Sequence, residues 1–365
     1  MNRNQETGSP LISPNPSSRE GNGRLKFCLV GCGRISERHF EAMQHIESAE
    51  IVACSDIDVD RLSEIAERYA IKNTFTDYKK MVTEIKPDAL IICSPSGLHS
   101  EMGVFAAENK IHVITEKPMS INLKQADELI KACDSNGVQL FVVKQNRLNQ
   151  PIQLLKKAID KNRFGRIFSV NATVRWTRPQ SYYDMSKWRG TWEFDGGAFL
   201  NQASHYFDLI SWLVGPVESV MAFTATLNHQ IEVEDIGAGL IKFRNGAIGN
   251  IEVTMNTFPK NLEGSITVMG EYGTAKIGGV AVNKIEHWDF KDYDDDDRFV
   301  SEVATIPPNI YGFGHTGFLS NVVDVLLGRA KPKIDGRDGR KSLEIILAMY
   351  ESAKTGKKIS LPFGV

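Results

Sequence analysis

Five short apolar runs, Leu25 to Val30, Ile51 to Ser55, Ala89 to Cys93, His112 to Thr115 and Leu140 to Val143, alternate with segments of helical spacing. A chain written this way has few folding options, because strands apolar on both faces must be covered by crossover helices, which gives a parallel α/β sheet. The first junction says more. In KFCLVGCGRISERHF the strand ends at Gly31-Cys32-Gly33 and helical spacing starts at Arg34 and Ile35. Glycine belongs where φ is positive or backbones approach closely, and a helix starting after such a turn offers free N–H groups to a pyrophosphate. Ser36 stands where the strict dinucleotide fingerprint has its third glycine, and is small enough to let helix and strand pack. The second run ends at Asp56, about 20 residues past the turn, where the fingerprint places the carboxylate for the ribose hydroxyls. A dinucleotide site is therefore expected, with a plain strand-to-helix turn as the alternative.

A chain of 365 residues exceeds what one core usually serves, so two domains are expected. Residues 1–24, rich in Asn, Pro, Ser and Gly, read as a disordered tail without the apolar centre of a signal peptide. Residues 25–146 form the dinucleotide-binding domain. Residues 147–365 form a second α/β domain, whose strands are longer and alternate in polarity, as in GAGLIKFRNGAIGNIEVTMN, where Asn245-Gly246 marks a hairpin. That half should be a large, mostly antiparallel, half-exposed sheet. Phe318 to Leu327 and Lys341 to Ala353 have helical spacing and should return to pack on one of the domains.

The net charge of -2, from 43 basic and 45 acidic residues, gives no single-sign field for nucleic acid or an anionic membrane, and neither partner is expected. Five cysteines, an odd number confined to the first 133 residues, argue against a disulfide framework and for a reducing, cytoplasmic setting. The acidic run DYDDDD, Asp292 to Asp297, lacks a glycine-kinked ligand loop and reads as a solvated loop; no metal is expected.

In open parallel sheets ligands bind beyond the carboxyl ends of the strands. Four such ends are polar: Gly31 to Ser36, Asp56, SPSGLH (Ser94 to His99) and EKP (Glu116 to Pro118). A lysine held beside a nicotinamide cation has its charged form disfavoured and can exchange a proton with a substrate hydroxyl, although Glu116 and Lys117 also read as ordinary surface residues. In DGGAFLNQASHYFDLISWLVGP, one helix would carry Asn201, His205 and Asp208 on one face. His205 titrates near neutrality and is a candidate acid or base, which Asp208 would orient unless it serves a cap elsewhere. A core histidine is the competing reading.

The glycine turn, SPSGLH, EKP, WRGTW and the GG…N…H..D helix resemble, in order and spacing, the Gfo/Idh/MocA oxidoreductases. The resemblance covers nearly everything after residue 24. It implies an N-terminal Rossmann domain, a C-terminal α/β domain whose large sheet serves a dimer or tetramer, and tightly held NAD(P). It makes Lys117 and His205 the catalytic pair, and places Ser94, Pro95, Ser96, Leu98, His99, Glu116, Gln145, Trp188 and Arg189 along the cofactor, together with Gly31, Gly33, Arg34, Ile35 and Asp56. Asp56 favours NAD over NADP, and Arg61 nearby weakens that preference. The family usually has Asp where this chain has Asn201. NRLNQP, RWTRPQSYYD and the helix segment look most like the nucleotide-sugar branch, the UDP-N-acetylglucosaminuronate 3-dehydrogenases of surface-polysaccharide (lipopolysaccharide) pathways. On that resemblance, Arg175, Arg178 and Tyr182 would meet the nucleotide, with Lys117, Asn201, Gln202 and His205 at the sugar. An Arg-rich oligomer interface explains the same residues equally well. A polyol dehydrogenase, a sugar 3-ketoreductase and a non-catalytic NAD sensor are the alternatives.

Overall fold

The computed structural model describes residues 23–279, 281–300 and 314–364. Nearly all of the N-terminal tail, residues 1–22, thus lies outside the described residues. The first half runs β1 (Leu25–Val30), α1 (Arg34–Met43), β2 (Ala49–Ser55), α2 (Val59–Arg68), β3 (Asn73–Phe75), α3 (Tyr78–Ile85), β4 (Ala89–Ile92), α4 (His99–Glu108), β5 (His112–Thr115), α5 (Leu123–Asn136) and β6 (Leu140–Val142). Its six strands are all parallel, in the order β3-β2-β1-β4-β5-β6. This is the doubly wound order, whose reversal between β1 and β4 opens a crevice at the strand ends. Alternate β1 residues feed different cores: Cys28 and Val30 on one face, Leu25, Phe27 and Leu29 on the other. Two-sided burial is why these strands read as unbroken apolar runs.

The second half runs α6 (Gln150–Asp160), β7 (Ile167–Arg175), α7 (Gln180–Asp184), α8 (Ser204–Val214), β8 (Val217–Ala225), β9 (Ile236–Phe243), β10 (Ile248–Thr254), β11 (Glu263–Gly270), β12 (Gly273–Gly278), β13 (Lys284–Phe290), α9 (Gly314–Leu326), α10 (Gly336–Thr355) and β14 (Ile359–Ser360). Its strands form one eight-stranded sheet, ordered β13-β12-β11-β7-β10-β9-β8-β14, with β7 and β10 its parallel pair. Asn245-Gly246 turns the β9–β10 hairpin, with Gly246 at φ +91°. One face of this sheet is covered by α8 and α10, while Met221, Phe223, Leu240 and Ile248 on the other are exposed.

The returning helices serve both halves rather than one: α9 packs on α1, and α10 packs on α5, β6, α8 and β8. The apolar core is accordingly continuous from β1 to β12. The acidic run is not a solvated loop. Asp294 and Asp296 pair with Lys161, Asp296 also with Lys157, and Asp297 with Arg163, fastening the run to α6 and the turn after it. All five cysteines are free and buried. Among the described residues no helix is long and apolar enough to cross a membrane.

Candidate active site

The glycine turn separates its two jobs clearly. Gly31 has φ +91°, and a Cβ there would lie 2.6 Å from the Cys93 carbonyl, so it allows β1 to approach the end of β4. Gly33 caps α1, and a Cβ there would meet nothing within 4 Å. That open space at a helix N-terminus, flanked by Arg34 and Ile35, fits a pyrophosphate. Asp56 lies at the end of β2, where its carboxylate accepts from Cys32 N (2.7 Å) and Asp58 N (2.9 Å). Arg61 Nη1 stands 3.8 Å from it, beside Asp58. Ser94 to Leu98 follow β4 and lead through a short turn into α4. The ring nitrogens of His99 lie 2.7 Å from Pro118 O and 2.8 Å from Ser94 O, so His99 ties two strand-end loops together.

Glu116 is buried at the end of β5 and accepts from His39 Nε2 at 2.9 Å, with His315 Nε2 at 3.8 Å. Against a burial penalty that favours protonation, these two imidazoles hold its carboxyl well below the usual range. Donor atoms of the three residues lie within 4.8 Å of one another. Sequence reasoning missed both histidines. His39 is one turn beyond the glycine loop, while His315 returns on α9, and nothing in the chain order links them to Glu116.

Lys117 Nζ donates to Asn201 O at 2.9 Å and to Asn201 Oδ1 at 3.2 Å. Burial pushes the pKa of Lys117 down, opposed by Glu116 and Asp195 and reinforced by Arg178 and Arg189. The expected continuous helix is in fact broken: Ala198–Gln202 forms a π turn, Ala203 interrupts it, and α8 starts at Ser204. His205 is buried, with Nε2 3.3 Å from Gln145 Nε2. Its Nδ1 and Gln145 Oε1 have no hydrogen-bond partner among the described residues. Exchanging O and N of that amide puts an acceptor on the imidazole N–H and leaves the other ring nitrogen a lone pair. Burial, then the charges of Lys117 and Lys144, depress the His205 pKa well below 6.5, so the ring is neutral at neutral pH.

Asp208 does not orient His205. Its two oxygens accept from Arg147 Nε and Nη2, both at 2.7 Å, and Arg147 also lies 3.5 Å from Asp338. Arg147 is a buried arginine within NRLNQP, and nothing in that motif links it to Asp208. Arg175 is not brought to the site either. It alternates with buried Val174 on β7, faces away from α8, and pairs with Glu252 (2.6 Å) and Glu263 (3.3 Å). Arg178 and Arg189 do converge: the Arg189 guanidinium stacks 4.3 Å from the Tyr182 ring and 4.7 Å from Trp188, and Arg178 lies 5.3 Å from Tyr182. Arg189 Nε is buried without a partner among the described residues, as suits a guanidinium awaiting an anion. Gln202 is buried in the π turn.

Residues 25–144 match the family described as oxidoreductases with an NAD-binding Rossmann fold, and residues 156–361 match the C-terminal alpha/beta domain of the same family. Among solved structures, the chain is similar to the WlbA dehydrogenase from Bordetella pertussis in complex with NADH and UDP-GlcNAcA, at 48% identity and TM-score 0.91 over 94% of this chain and 100% of that one. The WlbA dehydrogenase from Chromobacterium violaceum, also in complex with NADH and UDP-GlcNAcA, matches at 48% identity and TM-score 0.90 over 94% of this chain and 98% of that one. The myo-inositol 2-dehydrogenase of Thermotoga maritima is 29% identical over 62% of this chain and 68% of its own length.

Proposed function

The chain belongs to the Gfo/Idh/MocA oxidoreductases, and on that footing we propose that it is an NAD-dependent sugar dehydrogenase that oxidises the C3 hydroxyl of UDP-N-acetylglucosaminuronate to the 3-keto sugar. The observation that carries this reading is that Lys117, just past β5, acts by its charge on the buried His205 imidazole and lies within reach of the charges of Arg178 and Arg189, the two guanidiniums beside the Tyr182 ring. The sugar held by both WlbA structures supports the choice of substrate.

NAD+ supplies the hydride acceptor when bound. Loss of hydride from a carbinol carbon requires the hydroxyl proton to leave as well, and the neutral imidazole of His205 takes it. Lys117, with two of its donors committed to Asn201, directs the remaining N–H at the substrate oxygen and stabilises charge developing there. Arg178 meets the diphosphate of the sugar nucleotide, Trp188 and Arg189 line the cofactor, and Tyr182 offers a flat ring beside both guanidiniums. Asp56 accepts from the adenosine ribose, with Arg61 beside it. A 3-keto product suits transamination in a surface-polysaccharide route, and the exposed face of the larger sheet supports a homo-oligomer. A non-catalytic sensor would need neither Lys117 nor His205, and both are present.

Calorimetric titration of the NADH-loaded protein, which binds the sugar without oxidising it, tests the substrate class. UDP-N-acetylglucosaminuronate should bind, the free sugar acid should bind far more weakly, and Arg178→Ala should weaken only the former. Equal binding of the free acid would remove the nucleotide from the site.

A further inference from the structure

We infer that Asp195 is a positioning residue for Lys117, acting through Asn201; this rests on the proposed role of Lys117. Asn201 is gripped at both ends. Its backbone O and Oδ1 accept from Lys117 Nζ, and its Nδ2 donates to Asp195 Oδ1. An ionised carboxylate can only accept, and an ammonium can only donate, so together they leave the Asn201 amide one orientation. Asp195 is 1% exposed, and its other oxygen accepts from Gly190 N at 2.7 Å. Gly190 follows Trp188 and Arg189 directly and has φ +71°. One carboxylate therefore fixes both the lysine that meets the hydroxyl and the loop that carries the Arg189 stack, coupling the sugar end of the site to its anion end.

The charged and titratable groups facing Lys117 include Glu116 from the end of β5, Asp195 and Arg189 from the loop before the π turn, Arg178 from the segment after β7, Lys144 from the end of β6 and His205 from α8. Burial raises the Asp195 pKa to about 6, so at neutral pH it is ionised and opposes the fall in the Lys117 pKa. Neutralising it removes negative charge near Lys117 and releases the Asn201 amide.

The test compares Asp195→Asn, Asn201→Asp and the double variant, all loaded with NAD+. Lysine Nζ is labelled with nitrogen-15, and the Lys117 resonance is assigned by its loss in Lys117→Met. The expected result is a lower Lys117 pKa in Asp195→Asn and its recovery in the double variant, where the carboxylate has moved onto residue 201. In turnover, kcat should fall roughly 10- to 100-fold in Asp195→Asn, the scale of a mispositioned reacting group, with NAD+ affinity unchanged and partial rescue by the double variant. An unmoved Lys117 pKa together with no rescue, even if the melting temperature drops, would leave Asp195 as a loop-holding residue and overturn the inference. The titration needs no substrate. Failure of the substrate assignment would thus appear as wild-type protein that does not turn over the sugar, while the Lys117 shift remains readable.

Discussion

Adding one methyl group at each glycine of the first turn should produce opposite failures. At Gly31 an alanine must hold φ near +91°, which costs an L-residue about 1–2 kcal/mol. Its Cβ would also sit 2.6 Å from Cys93 C and O and 2.7 Å from Ser94 N. These are backbone atoms that cannot rotate away, and overpacking of this kind costs about 1–3 kcal/mol. Gly31→Ala should therefore lose about 2–5 kcal/mol. At Gly33, φ is -81° and no atom lies within 4 Å of the new Cβ, so strain and clash are absent. Alanine caps a helix less well than glycine but restricts the unfolded chain, and these opposed effects leave a net change within about 1 kcal/mol. What Gly33→Ala should lose is cofactor, because its methyl group fills the space where the pyrophosphate approaches the N-terminus of α1. A tenfold or greater weakening, about 1.4 kcal/mol or more, is expected. Urea unfolding of the cofactor-free proteins reads the first effect, since bound NADH would mask it, and fluorescence titration with NADH reads the second. A Gly33→Ala protein that binds NADH like wild type, or a Gly31→Ala protein with a wild-type unfolding midpoint, would refute this division of labour.

The other residues make separable predictions. Asp56→Ala should erode the preference for NAD+ over NADP+, because Arg61, already 3.8 Å away, then faces a 2′-phosphate unopposed by Asp56; an unchanged ratio of kcat/KM values would take Asp56 out of the ribose site. Asp208→Asn breaks a buried bidentate pair, a loss on the order of 3–5 kcal/mol, reduced here to about 2–4 because Asp338 stays near Arg147 and Asn retains an acceptor; chemical denaturation should show it, while the pH profile of the folded fraction stays wild type. The folded-state pKa of His205 is depressed, so the neutral base persists on acidification: oxidation should hold its rate down to pH 6.5 and fall only below it, and an acidic limb centred at or above pH 7 would show that His205 is not the base.

The strands of the first half were legible because burial on both faces leaves nothing but apolar residues, and β1 and β5 begin and end where the sequence places them. The three-residue edge strand Asn73–Phe75 was not, since an exposed edge needs no apolar signature. In the site, Lys117, His205, Asn201 and Gln145 all stood out by motif, but which of them would pair did not. A spacing of four reads as an α-helix, and the π turn at Ala198–Gln202 breaks that inference, so Asn201 meets Lys117 by a backbone oxygen as well as its side chain. Asp208 looked like an orienter of His205 because one turn separates them; Arg147, from a distant segment, captures it instead. Arg175 was readable after all. In SVNATVRW the alternation puts it with Asn171 and Thr173 on the face away from Val174, and that parity outweighed its nearness to Arg178.

Removal of hydride from a nucleotide-linked sugar by this chain is read out by a substrate screen. Purified protein with NAD+ is offered UDP-N-acetylglucosaminuronate, other UDP-sugars, the free sugar acid, myo-inositol and other free polyols, with NADH followed by absorbance and products by mass. NADH should form only with the UDP-linked sugars, fastest with the uronate, and the product should be lighter by two hydrogens and carry a carbonyl at C3. NADH formed from a free polyol, with none from any UDP-sugar, would contradict it.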